Sequence, residues 1–588
     1  MNWKQFRAGS GATSKPTSSL KARSARLLAA LAAVAIASSG SATRTSAQPA
    51  PAESGLTVAQ RTLPNGLRVV VLRDLLAPVV TTWLNVEAGS DDEPYTGLAH
   101  AQEHMFYRGS TSLSGAQADE IAGFTGDVDD ADTQNEITQF YHVVPAQDFE
   151  LALRMDASRF GELLDAQHDW DQERGAILQE VAADNSDALY RLSVKLQHRL
   201  MAGTVYVNEG LGTVESFTRQ IQAPQLKAFY HTWYHPNNAI YVIAGDIEPA
   251  AAFAAVERFF GAMPAVKVPP HVPGTLRPLA PALYTDTSDQ SSTAVIVGYR
   301  FPGYASPDYA ASVVLGDVLN SARGDLLDLV ASGRALAIEA DVSPYPQAGN
   351  VMILSHVPVT AKPLSAADDI KRAIDGYRTH GVPASLVEAA KQHEVAQLEL
   401  AADSLQTLAS LWSSALAVEH RPPGDDVAAI QRVTAADVTR VLREYLINTT
   451  APVAYAVPKN GAAGGESNGA PAPESAKPEP SHIEPLPAWA SAALQRLRVP
   501  EKTIDPAAFT LPNGLRVVVQ PERASSAVVV AGTVLHSPGL EEPAGQAGAG
   551  SVVEALLPFG TTTYSRLAYQ AQLDAIAATA TAGYTFSL

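Results

Sequence analysis

His100, Glu103 and His104 stand within five positions of one another in the stretch GLAHAQEHMFYRG, residues 97–109. On an α-helix, residues i and i+4 share a face, so two imidazoles at this spacing can each turn one ring nitrogen toward a single cation, with the glutamate beside them. Two ligands do not make a catalytic metal centre. A zinc ion that acts on a substrate takes three protein ligands and a water, the third ligand being a carboxylate or a histidine from another element. The competing interpretation is a polar helix face whose histidines are solvated or satisfied by neighbours. With 14 His in 588 residues, the full H-x-x-E-H triple arises by chance about once in a hundred chains of this kind. Gly97 and Gly109 bracket the stretch as a single helix. The chain has no cysteine, which excludes a thiolate nucleophile, a zinc ribbon and a disulfide framework, so any zinc site here uses His and carboxylate donors.

Strands and helices in mixed order surround this helix. LRVVVL and VVTTWLNV are β-branched runs, and Pro64-Asn65-Gly66 is a turn before the first. Helical spacing covers Ala116 to Phe124 and Ala146 to Leu164, with TQFYHVVP as a strand between them. WDQERGAILQEVAADN is a further helix, and NAIYVIAGDI a buried strand. The pattern predicts an α+β fold in which each domain is a mostly antiparallel sheet covered by helices.

The chain repeats itself. Residues 221–246 align with 433–458, each a helix followed by a final strand, and FTLPNGLRVVVQ from Phe509 repeats the segment that opens near residue 61. Tandem duplicated domains follow from this: a first at 55–263, a second at 280–458, a Pro/Gly/Ala-rich linker at 459–504 whose stretch 459–487 is expected to be flexible or extended, and a third copy at 505–588 that is truncated and degenerate. Aligning GAGSVVEALLPFGT with the opening motif sets Ser551 opposite His100, Glu554 opposite Glu103 and Ala555 opposite His104, so the third copy lacks both imidazoles.

At the N-terminus, Lys21, Arg23 and Arg26 precede an apolar run from Leu27 and small residues before Ala47. This is the pattern of a secretory signal peptide over 1–47, too short to span a bilayer. The expectation is an exported protein, periplasmic or secreted, with no stable membrane insertion. The net charge of −19, from 42 Lys+Arg against 61 Asp+Glu, has no basic block to offset it and argues against a nucleic-acid partner.

The order H-x-x-E-H is that of the inverzincins. Together with LPNGLRVVV, EAGSDDEPYTGLAHAQEHMFYRGS, WDQERGAILQEVA and WYHPNNAIYVIAGDI, in this order, the chain resembles the pitrilysin/insulinase family of zinc peptidases, and most of all bacterial relatives of the mitochondrial processing peptidase. The resemblance implies a third metal ligand in the pattern E-R-x5-E, which places it at Glu180, with a supporting carboxylate at Glu173. It implies one Zn2+ per chain and hydrolysis of peptides or unfolded protein segments by a zinc-polarised water, with Glu103 as general base. It also implies that the substrate adds to a sheet edge at Asp130-Ala131, where the family carries Asn-Ala. An Arg/Tyr pair found in many relatives is absent from the second copy, where Ala331 and Ile338 stand instead. A partner subunit or a further C-terminal half would then complete the chamber. The alternative is a non-catalytic scaffold, or a truncated, weakly active product that needs a partner half.

Overall fold

The runs RVVVLR (Arg68–Arg73) and AIYVIAG (Ala239–Gly245) lack the apolar–polar alternation of a strand with one wet face, the pattern of strands covered from both sides. In the computed structural model they pair in parallel at the heart of a six-stranded sheet. The structure describes residues 56–459 except 76, 209, 402 and 403, and then 485–495, 506–521, 528–534, 545–546 and 548–580. The signal-peptide expectation for 1–47 lies outside the described residues.

The first sheet comprises β1 (Thr57–Thr62), β2 (Arg68–Arg73), β3 (Val79–Val86), β4 (Val128–Thr133), β5 (Thr138–Pro145) and β6 (Ala239–Gly245), in the order β1-β2-β6-β3-β5-β4. Every pairing except β2/β6 is antiparallel. Its helices are α1 (Leu98–Phe106), α2 (Gly115–Thr125), α3 (Phe149–Glu162), α4 (Gln167–Ser186), α5 (Ala188–Leu200), α6 (Ala223–Trp233) and α7 (Pro249–Phe260). Alternate strand residues serve two cores. Val69, Val71, Tyr241 and Ile243 pack with side chains of α1, α3, α4, α6 and α7, whereas Val70, Leu72, Ile240 and Val242 point to the opposite face.

The second copy repeats this plan. Its sheet holds β7 (Leu283–Ser288), β8 (Thr293–Pro302), β9 (Ala337–Pro344), β10 (Ala348–Val357) and β11 (Val453–Pro458), in the order β7-β11-β8-β10-β9. Only β7/β11 is parallel, so the sequence of pairings reproduces that of β2-β6-β3-β5-β4. Its helices are α8 (Tyr309–Leu319), α9 (Leu327–Ala331), α10 (Pro363–His380), α11 (Ala384–Ala401), α12 (Leu405–Ala417), α13 (Pro423–Arg432) and α14 (Ala435–Tyr445).

The two copies exchange one helix each. The far face of the first sheet is closed by α12 of the second copy, through Leu408, Ala409 and Ala417 against Val70, Trp83 and Val242. There the Ser413 hydroxyl donates to Asn85 Oδ1 (2.6 Å), within a buried polar link that also takes Gln139. Reciprocally, α5 of the first copy lays Leu192, Leu196 and Leu200 on Ile296, Met352, Leu354 and Ala454 of the second sheet. Neither sheet is dry without the other copy.

Beyond the second copy, residues 485–495 include the helix α15 (Ala488–Leu494), docked on the first copy. Fully buried Ala490 enters a cluster with Leu113, Ile121 and Met155, the Arg154 guanidinium lies 4.2 Å over the Trp489 ring, and Gln117 Nε2 donates to the Pro485 carbonyl (2.9 Å). An alanine-rich turn with one tryptophan anchor finds a groove that composition alone does not reveal. The strands β12 (Ala507–Thr510) and β13 (Arg516–Val519) form a two-stranded sheet, followed by α16 (Ala549–Leu556) and α17 (Arg566–Asp574). Helix α17 is tied to the second copy by Arg323–Asp574 and Arg566–Asp328, both at 2.6 Å. No helix among the described residues is long and apolar enough to cross a membrane.

Candidate metal centre

Helix α1 begins abruptly because two residues make its start. Gly97 sits at its N-cap with φ +89°, and a Cβ there would come within 2.5 Å of Phe217 Cζ and 2.6 Å of the Gly212 Cα, so only glycine fits. The buried Glu93 carboxylate then caps the free amides, accepting from Gly97 N (2.6 Å) and Ala99 N (2.9 Å). Burial pushes the Glu93 carboxyl well up despite these amides. A carboxylate at a helix N-terminus is where the helix dipole favours it.

One turn on, His100 and His104 bring their Nε2 atoms to 3.1 Å of each other. Their other ring nitrogens are engaged. His100 Nδ1 faces the Leu211 carbonyl at 3.2 Å, and His104 Nδ1 faces Glu173 Oε1 at 2.7 Å. With both Nδ1 atoms donating, both Nε2 atoms present lone pairs to the same point, an arrangement that repels unless a cation lies between them. Glu180 supplies the third donor: its Oε2 lies 3.5 Å from His100 Nε2 and 3.7 Å from His104 Nε2. Two ligands of one tetrahedral zinc, each about 2.0–2.1 Å from the ion, stand about 3.3 Å apart. The His100, His104 and Glu180 donors, all within 4.8 Å of one another, fit that requirement. The two imidazoles, His100 first, hold the Glu180 carboxyl well below the usual carboxylate range.

Glu173 and Glu180 come from α4, seven residues and about two turns apart, so they present the same side. They do different things. Glu180 reaches the imidazoles, whereas Glu173, 7% exposed, stands behind His104 and also accepts from Arg108 through Nε and Nη2. Glu103 turns aside from the donors, and its Oε2 accepts from the Thr133 hydroxyl at the end of β4. Burial raises the Glu103 carboxyl, against the opposing pull of His100 and Thr133.

Asp130 and Ala131 are on β4, the edge strand of the first sheet, and so on the strand that ends at Thr133. Ala131 is buried and Asp130 exposed. Asp130 Oδ1 accepts from the Ala131 amide (2.9 Å), and Tyr141 donates to Asp130 Oδ2 (3.4 Å). The structure therefore brings His100, His104, Glu180, Glu173 and Glu103 into one cluster, and sets Asp130 and Ala131 on the strand beside it. Sequence reasoning missed Arg108, Glu93 and Thr133. Arg108 carried a signal, a cation four residues past His104, and Glu93 another, an acid just ahead of a helix start.

Among the described residues one other donor group occurs, Asp317, His393 and Glu394, in the second copy. There His393 Nδ1 meets Asp317 Oδ2 at 2.5 Å, well short of the about 3.3 Å between two ligands of one zinc. That contact is a hydrogen bond.

Residues 68–212 match the family model described as Insulinase (Peptidase family M16), and residues 220–393 the one described as Peptidase M16 inactive domain. An uncharacterized zinc protease of Streptomyces coelicolor is 26% identical over 279 residues, 46% of this chain and 59% of that protein. The chain thus spans less than two thirds of that relative. Among solved structures, a protease from Helicobacter pylori superposes with a TM-score of 0.63 at 19% identity, covering 68% of this chain and all of that one. The periplasmic protease PqqL from Escherichia coli superposes with a TM-score of 0.58 at 20% identity, covering 81% of this chain and 56% of that one.

Proposed function

Because this chain belongs to the M16 (insulinase) family of peptidases, we propose that it is an exported, zinc-dependent endopeptidase acting on peptides or unfolded protein segments. The observation that carries the proposal is the meeting of His100, His104 and Glu180 on one point with Glu103 alongside. These three residues would hold one zinc ion per chain. When bound, zinc supplies a Lewis acid that makes water nucleophilic near neutral pH and polarises the peptide carbonyl.

The protein's own groups do the rest. Glu103, held by Thr133, takes the proton of the attacking water and returns it to the leaving amine nitrogen. Glu173 fixes the tautomer of His104 by accepting from Nδ1, and Arg108 holds Glu173 in place. The substrate main chain pairs with the outer edge of β4 at Asp130 and Ala131. Asp130 brings a negative charge to that edge and disfavours acidic residues in the substrate.

The decisive variant is Glu103→Gln. It retains zinc and loses turnover by about 10²- to 10⁴-fold, while His104→Ala loses both. A Glu103→Gln protein purified without zinc would make Glu103 a ligand and overturn these roles. The second interpretation, a scaffold or half-enzyme that needs a facing subunit or C-terminal half, is favoured by the match of residues 220–393 to a domain described as inactive. A pure, zinc-loaded chain that cleaves no peptide supports it. Export rests on the sequence of 1–47 and on the likeness to a protein named as periplasmic; a mature N-terminus at Gln48, found by mass spectrometry, is the expected result.

A further inference from the structure

Gln102 lies inside the H-x-x-E-H stretch, two residues from each histidine and therefore about 200° around the helix from both. It faces the core, 0% exposed, where its Nε2 donates to Asp165 Oδ1 (3.0 Å) and Oδ2 (3.3 Å). Asp165 is itself 2% exposed. An apolar side chain would fill this position without desolvating an amide and a carboxylate, and Gln102 Oε1 has no partner among the described residues. The arrangement costs stability, and what it adds over leucine is direction. A second cost falls on the same residue. Asp165 has φ +43°, in the left-handed region that L-residues avoid, and such strain persists only where the surroundings over-determine it. Asp165 immediately precedes Ala166, the N-cap of α4, so the strained residue launches the helix that carries Glu173 and Glu180.

Two helices tied at one point can swivel; tied at two, they cannot. At the metal-facing end, α1 and α4 are tied by His104 to Glu173. We propose that Gln102–Asp165 is the second tie, a positioning couple that sets α1 against α4 and so fixes the span from His100 and His104 to Glu180. The inference rests on the zinc reading above, and its test separates the two.

Three variants serve: Gln102→Leu, Asp165→Gly, and Asp165→Asn. Glycine accepts the left-handed backbone but removes the acceptor, and asparagine accepts both that backbone and the Gln102 hydrogen bond. The readouts are zinc affinity by chelator competition and the visible spectrum of the cobalt-loaded protein, with the melting temperature of the metal-free protein as a folding control. Gln102→Leu and Asp165→Gly are expected to weaken zinc binding by about 10- to 100-fold and shift the cobalt bands, and Asp165→Asn to stay within about threefold of the unaltered protein. Should Gln102→Leu fail to fold, the glycine/asparagine contrast decides alone. Asp165→Gly binding zinc as the unaltered protein does, or Asp165→Asn losing as much as Asp165→Gly, overturns the inference and leaves the zinc site standing. An unaltered protein that takes up no zinc overturns the zinc site, and the inference with it.

Discussion

At the scale of single residues, the candidate centre depends on groups that never face the substrate. His104 is useful only while Glu173 accepts from its Nδ1, and Glu173 stays in place through Arg108. Glu173→Ala is therefore expected to lower zinc affinity about 10- to 100-fold without unfolding the protein, as measured by chelator competition alongside circular dichroism. A different buried group governs the response to pH. His142 is held by Asp127 (Nδ1, 2.6 Å) and Asp156 (Nε2, 3.1 Å), and Tyr241 donates to Asp156. Burial pushes the imidazole down, but Asp156 and Asp127 outweigh it and raise it to about 10. A raised folded-state value means that the folded protein holds this proton more tightly than the unfolded chain does. The contribution, on the order of a few kcal/mol, is complete below about pH 6.5 and is lost as pH rises through about 10. The melting temperature should accordingly fall between pH 7 and pH 10, and His142→Gln should start lower and fall less; an unchanged slope would discard His142 as the cause. Glu173 was legible only through the family resemblance, since unassisted it reads as one more solvated helix charge; its seven-residue spacing from Glu180 agrees with that assignment. Arg108 and Glu93 each carried a signal in their position, but too weak a one to assign a role before the fold brings the partner to it.

At the scale of elements, α1 is a short helix set in place from outside itself. Its N-terminal amides are satisfied by Glu93, not by a residue of the helix. Glu93→Ala leaves those buried donors unpaired and should destabilise the protein by about 1–3 kcal/mol, seen as a lowered denaturation midpoint, with a fall in zinc affinity as the His100 turn frays. A midpoint within experimental error of the unaltered protein would contradict this account of the cap. The strands β2, β3, β5 and β6 were legible as apolar, β-branched runs. β4 was legible only through the resemblance, which sets a sheet edge at Asp130-Ala131: VDDADT has low strand propensity, and it is extended because it pairs with β5 along its whole length. β1, TVAQRT, is mostly exposed and pairs with β2 along its whole length. Helix α15 hid in a proline- and alanine-rich stretch because its one anchor, Trp489, has meaning only beside Arg154.

For the whole molecule, the duplication was legible from two aligned helix–strand segments, whereas the exchange of α5 and α12 was not, since each reads locally as an ordinary amphipathic helix of its own copy. The exchange makes a prediction that crosses domain boundaries. Leu196 belongs to the first copy but is fully buried against the second sheet. Leu196→Ala should cost about 2–5 kcal/mol and raise hydrogen exchange in β8 and β11 at least as much as in β2 and β6. Exchange confined to the first sheet would refute the interlock as an energetic unit. The helices α5 and α12 occupy corresponding places, each a short way ahead of the paired segments α6–β6 and α14–β11. Two equal units that trade the same arm are, in all but the connector, a two-fold symmetric swapped dimer. A gene encoding one such unit would have produced a protein with one bare sheet face until it met a second copy of itself. Duplication within a single gene then has an immediate advantage: the tether turns an encounter that depends on concentration into one that does not. With partnership guaranteed, one unit can carry the imidazoles alone: the corresponding helix of its twin, YAASVVLGDVL in α8, has none.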